Sequence, residues 1–206
     1  CALPILLVGD GMNIYKAIKR EKKFLKKFYI LMIVLAITLP IILFLTGLNN
    51  TFYLSYLLFI EFLIFVAVIN KMNYYKLEYS CSNNKLRFKN GLLSNESVIL
   101  CDKVALVHTE KMEEDMDIII VTTVNFKNKS LKPIGSIFLK RYPLASEEYK
   151  RIKELQPENI YYYQVIRRGG LKKYMILDTI YKNCVRATYT DECIQNIKIA
   201  RGQTLV

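Results

Sequence analysis

Hydrophobic and polar positions divide the chain into two unlike parts. Residues 28–48 read FYILMIVLAITLPIILFLTGL, 21 positions without a charge, and residues 52–69 read FYLSYLLFIEFLIFVAVI, apolar apart from Glu61. About 20 apolar residues in helical conformation cross a ~30 Å hydrocarbon core, so each run predicts a membrane-spanning helix. Only Asn49, Asn50 and Thr51 separate the two, which makes the pair a tight helical hairpin.

Beyond residue 71 the pattern changes to the alternation of half-buried strands. Residues 74–80 and 85–89 flank the turn Cys81-Ser82-Asn83-Asn84, with Leu77, Tyr79, Leu86 and Phe88 directed to one face. Asn90-Gly91 is a turn dipeptide, and residues 97–100 and 103–108 supply two further short strands. Residues 116–126 form the strongest strand, whose β-branched run Ile118 to Val121 suits the centre of a sheet. A strand at 134–140, closed by Pro143, is expected next. Ser146 then caps a helix over EEYKRIKEL, with Glu147 and Glu148 in its first turn and Tyr149, Ile152 and Leu155 on its apolar stripe. After Pro157 come a strand at 161–167, a break at Arg168-Gly169-Gly170, and two helices. The first carries Tyr174, Leu177, Ile180, Tyr181 and Cys184 at helical spacing; the second follows Thr190 as N-cap and carries Cys193, Ile194, Ile197 and Ala200.

The expected architecture is a membrane α-hairpin plus an α+β soluble domain, a small β-barrel or bent sheet capped by a helix, with a helical C-terminal appendage. Its parts are a basic N-terminal segment (1–27), the hairpin (28–70), the sheet domain (72–156) and the appendage (157–206). Since residue 1 is Cys and not Met, the chain reads as a fragment, with Met12 an alternative natural start.

Charge orients the hairpin. The 206 residues carry a formal charge of +12. Over residues 12–27, Lys16, Lys19, Arg20, Lys22, Lys23, Lys26 and Lys27 stand against Glu21 alone, +6 in all, and Lys71 and Lys76 follow the second span. The positive-inside rule puts both ends in the cytoplasm and the short turn outside. The same seven cations form a surface that attracts anionic lipid. A cleaved signal peptide would need a shorter apolar core and an A-x-A-like site before the turn.

Glu61 lies mid-span, where an ionised carboxylate costs about 2.5–3.5 kcal/mol or more, so it is expected protonated or paired. Thr38 sits at similar depth on the first helix. Pro40 frees the carbonyl of Ala36 as a second acceptor. The pairing is read as a structural interhelical contact, with a proton or ion relay as the competing function.

Candidate chemistry is sparse. The five cysteines, at 1, 81, 101, 184 and 193, form no C-x-x-C pair and are read as reduced. His108 is the one histidine and is read as a surface residue at a strand end. The run Glu113-Glu114-Asp115-Met116-Asp117 has oxygen ligands for Ca²⁺ or Mg²⁺ but neither the alternation nor the glycine of a calcium loop. No P-loop, dinucleotide fingerprint or H-E-x-x-H occurs. No cofactor or metal is therefore expected. Residues 160–206 hold eight basic against three acidic side chains, +5, and Arg167, Arg168, Lys172 and Lys173 form a candidate patch for lipid or a protein partner. A nucleic-acid contact is disfavoured by the tether to the membrane.

Lys85-Leu86-Arg87-Phe88 with Gly91-Leu92-Leu93, then Val98-Ile99-Leu100, Lys103-Val104 and the strand at 116–124, all behind a two-helix hairpin, resemble the membrane-anchored bacterial pleckstrin-homology-like proteins over residues 28–142. The resemblance implies a barrel of about seven strands capped by a helix and no catalytic residues. The expected function is a non-enzymatic, membrane-anchored cytoplasmic binding or scaffold module with membrane lipids and a protein partner or a second copy as its contacts. A subunit of a membrane transport or secretion assembly is the alternative, and an enzyme ranks third.

Overall fold

The computed structural model describes residues 13–47, 50–111, 115–126 and 128–204. Helix α1 (Ile14–Leu45) begins at Asn13, whose side chain accepts from the Tyr15 N–H. The basic segment and the first apolar run are thus one helix of 32 residues, about 48 Å long. Lys, Arg, Leu and Ala are good helix formers, and nothing between residues 14 and 28 interrupts the intrahelical ladder. Pro40 is accommodated inside α1, which ends at Thr46 with Gly47 at φ +66°. Helix α2 (Thr51–Tyr75) returns beside it; Asn49 of the connecting turn lies outside the described residues. Both helices are long and apolar enough to cross a membrane.

Lys71 fixes their alignment, because its ammonium lies 5.8 Å from the Phe28 ring centroid and 5.3 Å from that of Tyr75. Ten residues further into the hairpin along each helix, Thr38 and Glu61 come to the same level.

The rest of the described chain is α+β. Strands β1 (Leu77–Ser82), β2 (Lys85–Asn90) and β3 (Glu96–Leu100) form an antiparallel sheet. Asn83 and Asn84, both at positive φ, make the two-residue turn of its first hairpin. A 3₁₀ turn at Cys101–Lys103 leads to β4 (Val104–Lys111) and β5 (Met116–Thr122). β6 (Lys132–Pro133), α3 (Ser136–Arg141), α4 (Pro143–Leu155), β7 (Tyr162–Ile166), α5 (Lys172–Asn183), β8 (Thr188–Tyr189) and α6 (Asp191–Ala200) complete the order. The second sheet runs β6-β7-β5-β4-β8, with β8 parallel to β4 and the other pairs antiparallel.

This second sheet is covered on both faces, which is why every residue of β5 is buried. Ile118 and Ile120 turn toward a core shared with Leu77, Phe88, Ile99, Ile166 and the α5–α6 residues Ile176, Leu177, Ile180 and Ile197. Ile119 and Val121 turn the other way, onto Phe138, Tyr142 and Ala145 from α3 and α4. A buried polar bridge ties the two sheets: Asn128 donates to Gln164 at 2.7 Å and Gln164 to Ser97 at 2.8 Å.

Four expectations are corrected. Residues 136–141 are helix and not strand, because a helical turn delivers Phe138 into ring contacts with Tyr142, Tyr149 and Tyr163. Helix α4 starts at Pro143, a residue pre-set for the first helical turn; Ser146 is buried inside it, its hydroxyl donating to the Tyr142 carbonyl at 2.7 Å. Residues 157–206 are not an appendage: β7 lies between β6 and β5, and α5 and α6 supply part of the main core. The strands form two sheets that do not close into a barrel.

Candidate functional site

The two glycines after β7 bring the end of the hairpin and the sheet domain into one buried junction. Gly169 has φ +125°, and a Cβ there would lie 2.6 Å from the Leu77 side chain. Gly170 has φ +51°, and a Cβ there would run into the Glu21 carboxylate and sit 2.8 Å from the Tyr75 ring. Only glycine meets both demands, the left-handed backbone and the close approach. The Gly169 N–H donates to the Tyr74 carbonyl at 2.8 Å, so the break in sequence is a joint in structure.

Lys173 sits in this joint, 0% exposed. Its ammonium donates to the Arg167 carbonyl at 2.7 Å and pairs with Asp115 at 2.6 Å. Asp115 also accepts from the Tyr74 hydroxyl at 3.2 Å and from the Met116 N–H at 2.7 Å. Burial pushes the Asp115 carboxyl upward, with the Lys173 ammonium opposing it. Asp117, 3.5 Å from the Arg167 guanidinium, is raised by the same cause.

Glu21 enters from α1. Ile14, Ala17 and Glu21 follow one another at helical spacing on one face, and Ile14 and Ala17 are buried, so the first turns of α1 dock on the domain. The Glu21 carboxylate accepts from the Leu171 N–H at 3.2 Å and thereby caps α5, whose own N-cap residue offers no side-chain bond. Burial raises its pKa from 4.5 to about 7; the Leu171 bond opposes this, Asp115 adds to it, and Lys172 and Lys173 oppose it.

Arg168 completes the joint on the α2 side. It donates to the Asn73 side-chain oxygen at 3.1 Å, its own N–H donates to Asn90 at 3.1 Å, and Leu92 N–H donates to the same Asn73 oxygen at 2.9 Å.

The patch inferred from Arg167, Arg168, Lys172 and Lys173 therefore does not exist as one surface. Lys173 is buried and paired, Arg168 is held by Asn73 and Asn90, and Arg167 is half-exposed while bonded to Asp117 and to the Tyr142 hydroxyl at 3.1 Å. Lys172 alone keeps an unassigned, half-buried position. The signal was in the periodicity: Lys173 lies three, four and seven residues before Ile176, Leu177 and Ile180, on the apolar stripe of α5. By contrast Lys16, Lys19, Arg20, Lys22, Lys23, Lys26 and Lys27 are all exposed, off the docked face of α1.

Glu61 and Thr38 share a level but not a bond. The Thr38 hydroxyl donates to the Leu35 carbonyl of its own helix at 3.3 Å, and a buried Glu61 oxygen, Oε1, has no hydrogen-bond partner among the described residues. A hydroxyl in a helix satisfies itself on its own backbone first, and that won over the interhelical contact.

His108 is 1% exposed and not a surface residue. Its Nδ1 lies 2.9 Å from the Thr190 hydroxyl, which also caps α6, and burial lowers its pKa although Glu192 opposes this. Three cysteines distant in sequence converge in the main core: Cys81 lies 3.9 Å from Cys101, and Cys184 belongs to the same buried cluster. The described cysteines are free thiols. Glu113 and Glu114 lie outside the described residues, and Asp115 and Asp117 are engaged by Lys173 and Arg167. Among the described residues no group of three or more His, Cys, Asp or Glu side chains is arranged to hold a metal ion.

No protein-family model, curated protein or solved structure matches the chain.

Proposed function

We propose that the protein is a membrane-anchored, non-enzymatic binding or scaffold module that holds its α+β domain in a set orientation at the cytoplasmic face of a bacterial inner membrane. One observation supports this most: buried charge is spent on fastening the hairpin to the domain. Tyr74 to Asp115, Leu171 to Glu21 and Arg168 to Asn73 bond across the joint between α1 or α2 and the domain, and Lys173 pairs with Asp115 from the domain side. A flexible tether would need none of them, whereas a display platform needs them all. The exposed cations of α1 stand where the helix would leave an anionic leaflet. The pleckstrin-homology-like reading remains part of this proposal on its sequence motifs, for a version with an open, two-sheet core.

The orientation is tested by labelling. A cysteine placed at Asn50 should react with an impermeant reagent in intact cells, and one placed at Ser130 only after lysis; the reverse pattern would invert the topology.

A second reading, a subunit of a transport or secretion assembly, is favoured by Glu61. A buried polar oxygen without a hydrogen bond costs roughly 2–7 kcal/mol in an apolar medium, and a donor on a neighbouring helix would remove that cost. On this reading Glu61→Gln keeps the oligomer or complex recovered in mild detergent and Glu61→Leu loses most of it. Equal recovery with both variants would take Glu61 out of any interface.

A further inference from the structure

The loop between β2 and β3 climbs back along the last turn of α2. The Gly91 N–H donates to the Lys76 carbonyl at 2.8 Å, and the Leu92 N–H donates to Asn73 at 2.9 Å, one helical turn nearer the apolar part of the hairpin. Arg168 locks this arrangement by donating to Asn73 and, at 3.5 Å, to the Asn90 carbonyl. Gly91 is obligatory, with φ +110° and room for no Cβ against Arg168 and Asn73, each 2.5 Å away. At the crest Leu93 is 90% exposed, more than any other large apolar residue described.

Its level follows from the helix alignment. Lys71 lies beside Phe28, so Asn73 is level with Lys26, and Lys26 and Lys27 are exposed. The apolar run of α2 ends at Ile69, four residues or roughly 6 Å before Asn73 along the helix axis. From Lys85 to Asn95 the chain has three basic residues and no acidic one. A lone exposed leucine on a protein surface is ordinary. A leucine held rigidly at the crest of a loop, Gly91 to Asn95, that carries no charge, at the depth where two membrane helices emerge, is not.

We propose that the β2–β3 loop is a membrane contact of its own, with Leu93 entering the interfacial layer of the bilayer that holds the hairpin and Lys26 and Lys27 meeting anionic headgroups beside it. The inference rests on the reading that α1 and α2 cross that bilayer. The loop N–H groups of Gly91 and Leu92 are already bonded, so insertion leaves those two donors satisfied. The loop is also pre-ordered by Asn73 and Arg168, so little chain entropy is lost on contact. Because the hairpin keeps the loop at the surface, even a weak apolar contact is occupied. A soluble protein partner would have to reach Leu93 between the domain and the headgroups, which favours lipid.

The absence of tryptophan from the chain allows a direct test. Three variants each carry one: Leu93→Trp; Ile41→Trp, within the apolar part of α1; and Val185→Trp, 79% exposed just past the far end of α5. The full chain is reconstituted into phosphatidylcholine–phosphatidylglycerol vesicles with spin labels at the headgroup or deep in the acyl chains. Tryptophan at 93 should emit to the blue of tryptophan at 185 and be quenched at least about twofold more by the headgroup label than by the deep one. Tryptophan at 41 should be quenched by the deep label, and tryptophan at 185 by neither. Water-like, unquenched emission at 93 with quenching at 41 would overturn the loop contact and leave the hairpin in place. A blue shift at 93 without quenching by either label would point to a second copy covering Leu93 and would also overturn it. Failure of quenching at 41 would overturn the membrane reading itself.

Discussion

Lys173→Met should lower the stability of the full chain by about 3–5 kcal/mol, because it strands Asp115 in a desolvated joint with its ammonium partner gone. The Arg167 carbonyl loses its 2.7 Å donor as well. For a chain of this size the melting midpoint in mild detergent should fall by roughly 10 °C. The double variant Lys173→Met/Asp115→Asn removes both charges; the asparagine oxygen can still accept from the Met116 N–H, and its amide N–H, in place of the other oxygen, can donate to the Tyr74 hydroxyl. It should recover at least half of the loss, since a buried pair costs most when only one member is removed. A single variant that melts with the wild type would mean that water reaches the pair. A double variant no better than the single one would place the cost in packing and not in charge.

Raising the pH from about 5 to about 8 should loosen the docking of α1, and Glu21→Gln should remove most of that dependence. Burial lifts the Glu21 pKa from 4.5 to about 7 in the folded protein. The native state therefore holds a proton that the unfolded chain has released between those values, so stability is full below 4.5 and declines as pH rises through 7. The whole shift corresponds to roughly 3 kcal/mol, and about 2 kcal/mol is expected after allowing for the residual solvent contact of Glu21. Glutamine still offers an oxygen to the Leu171 N–H but has no proton to lose. Asp115 and Asp117, also raised by burial, contribute slopes of the same sign that persist in the variant. His108, lowered by burial, contributes the opposite sign, its stability lost as pH falls through its ordinary value. The quantity to read is thus the difference between wild type and Glu21→Gln in melting midpoint across pH. Parallel curves would show that Glu21 does not titrate in this window.

Legibility in sequence followed the physics of each element. The two apolar runs, the Asn83-Asn84 hairpin, the buried strand β5 and the Thr190 cap are local signals, and each stands in the structure, although α1 starts fourteen residues before its apolar run. The segment 134–140 failed because a short apolar run fits strand and helix equally, and only the ring contacts of Phe138 decide between them. Of the site, the exposed cations of α1 were legible by composition. The joint was not, since it unites Glu21, Tyr74, Asp115 and Lys173 across some 150 positions of sequence.

By itself the sequence determined which stretches are apolar enough to cross a membrane, where strands alternate and where helices are capped, because hydrophobic period, propensity and capping act over a few residues. Only the tertiary structure decided that the last fifty residues complete the second sheet and main core, that Lys173 faces inward, that three cysteines meet, and that Thr38 leaves Glu61 unpaired. These depend on which distant groups arrive at the same place, and desolvation there sets whether a charge is a surface cation or half of a buried pair.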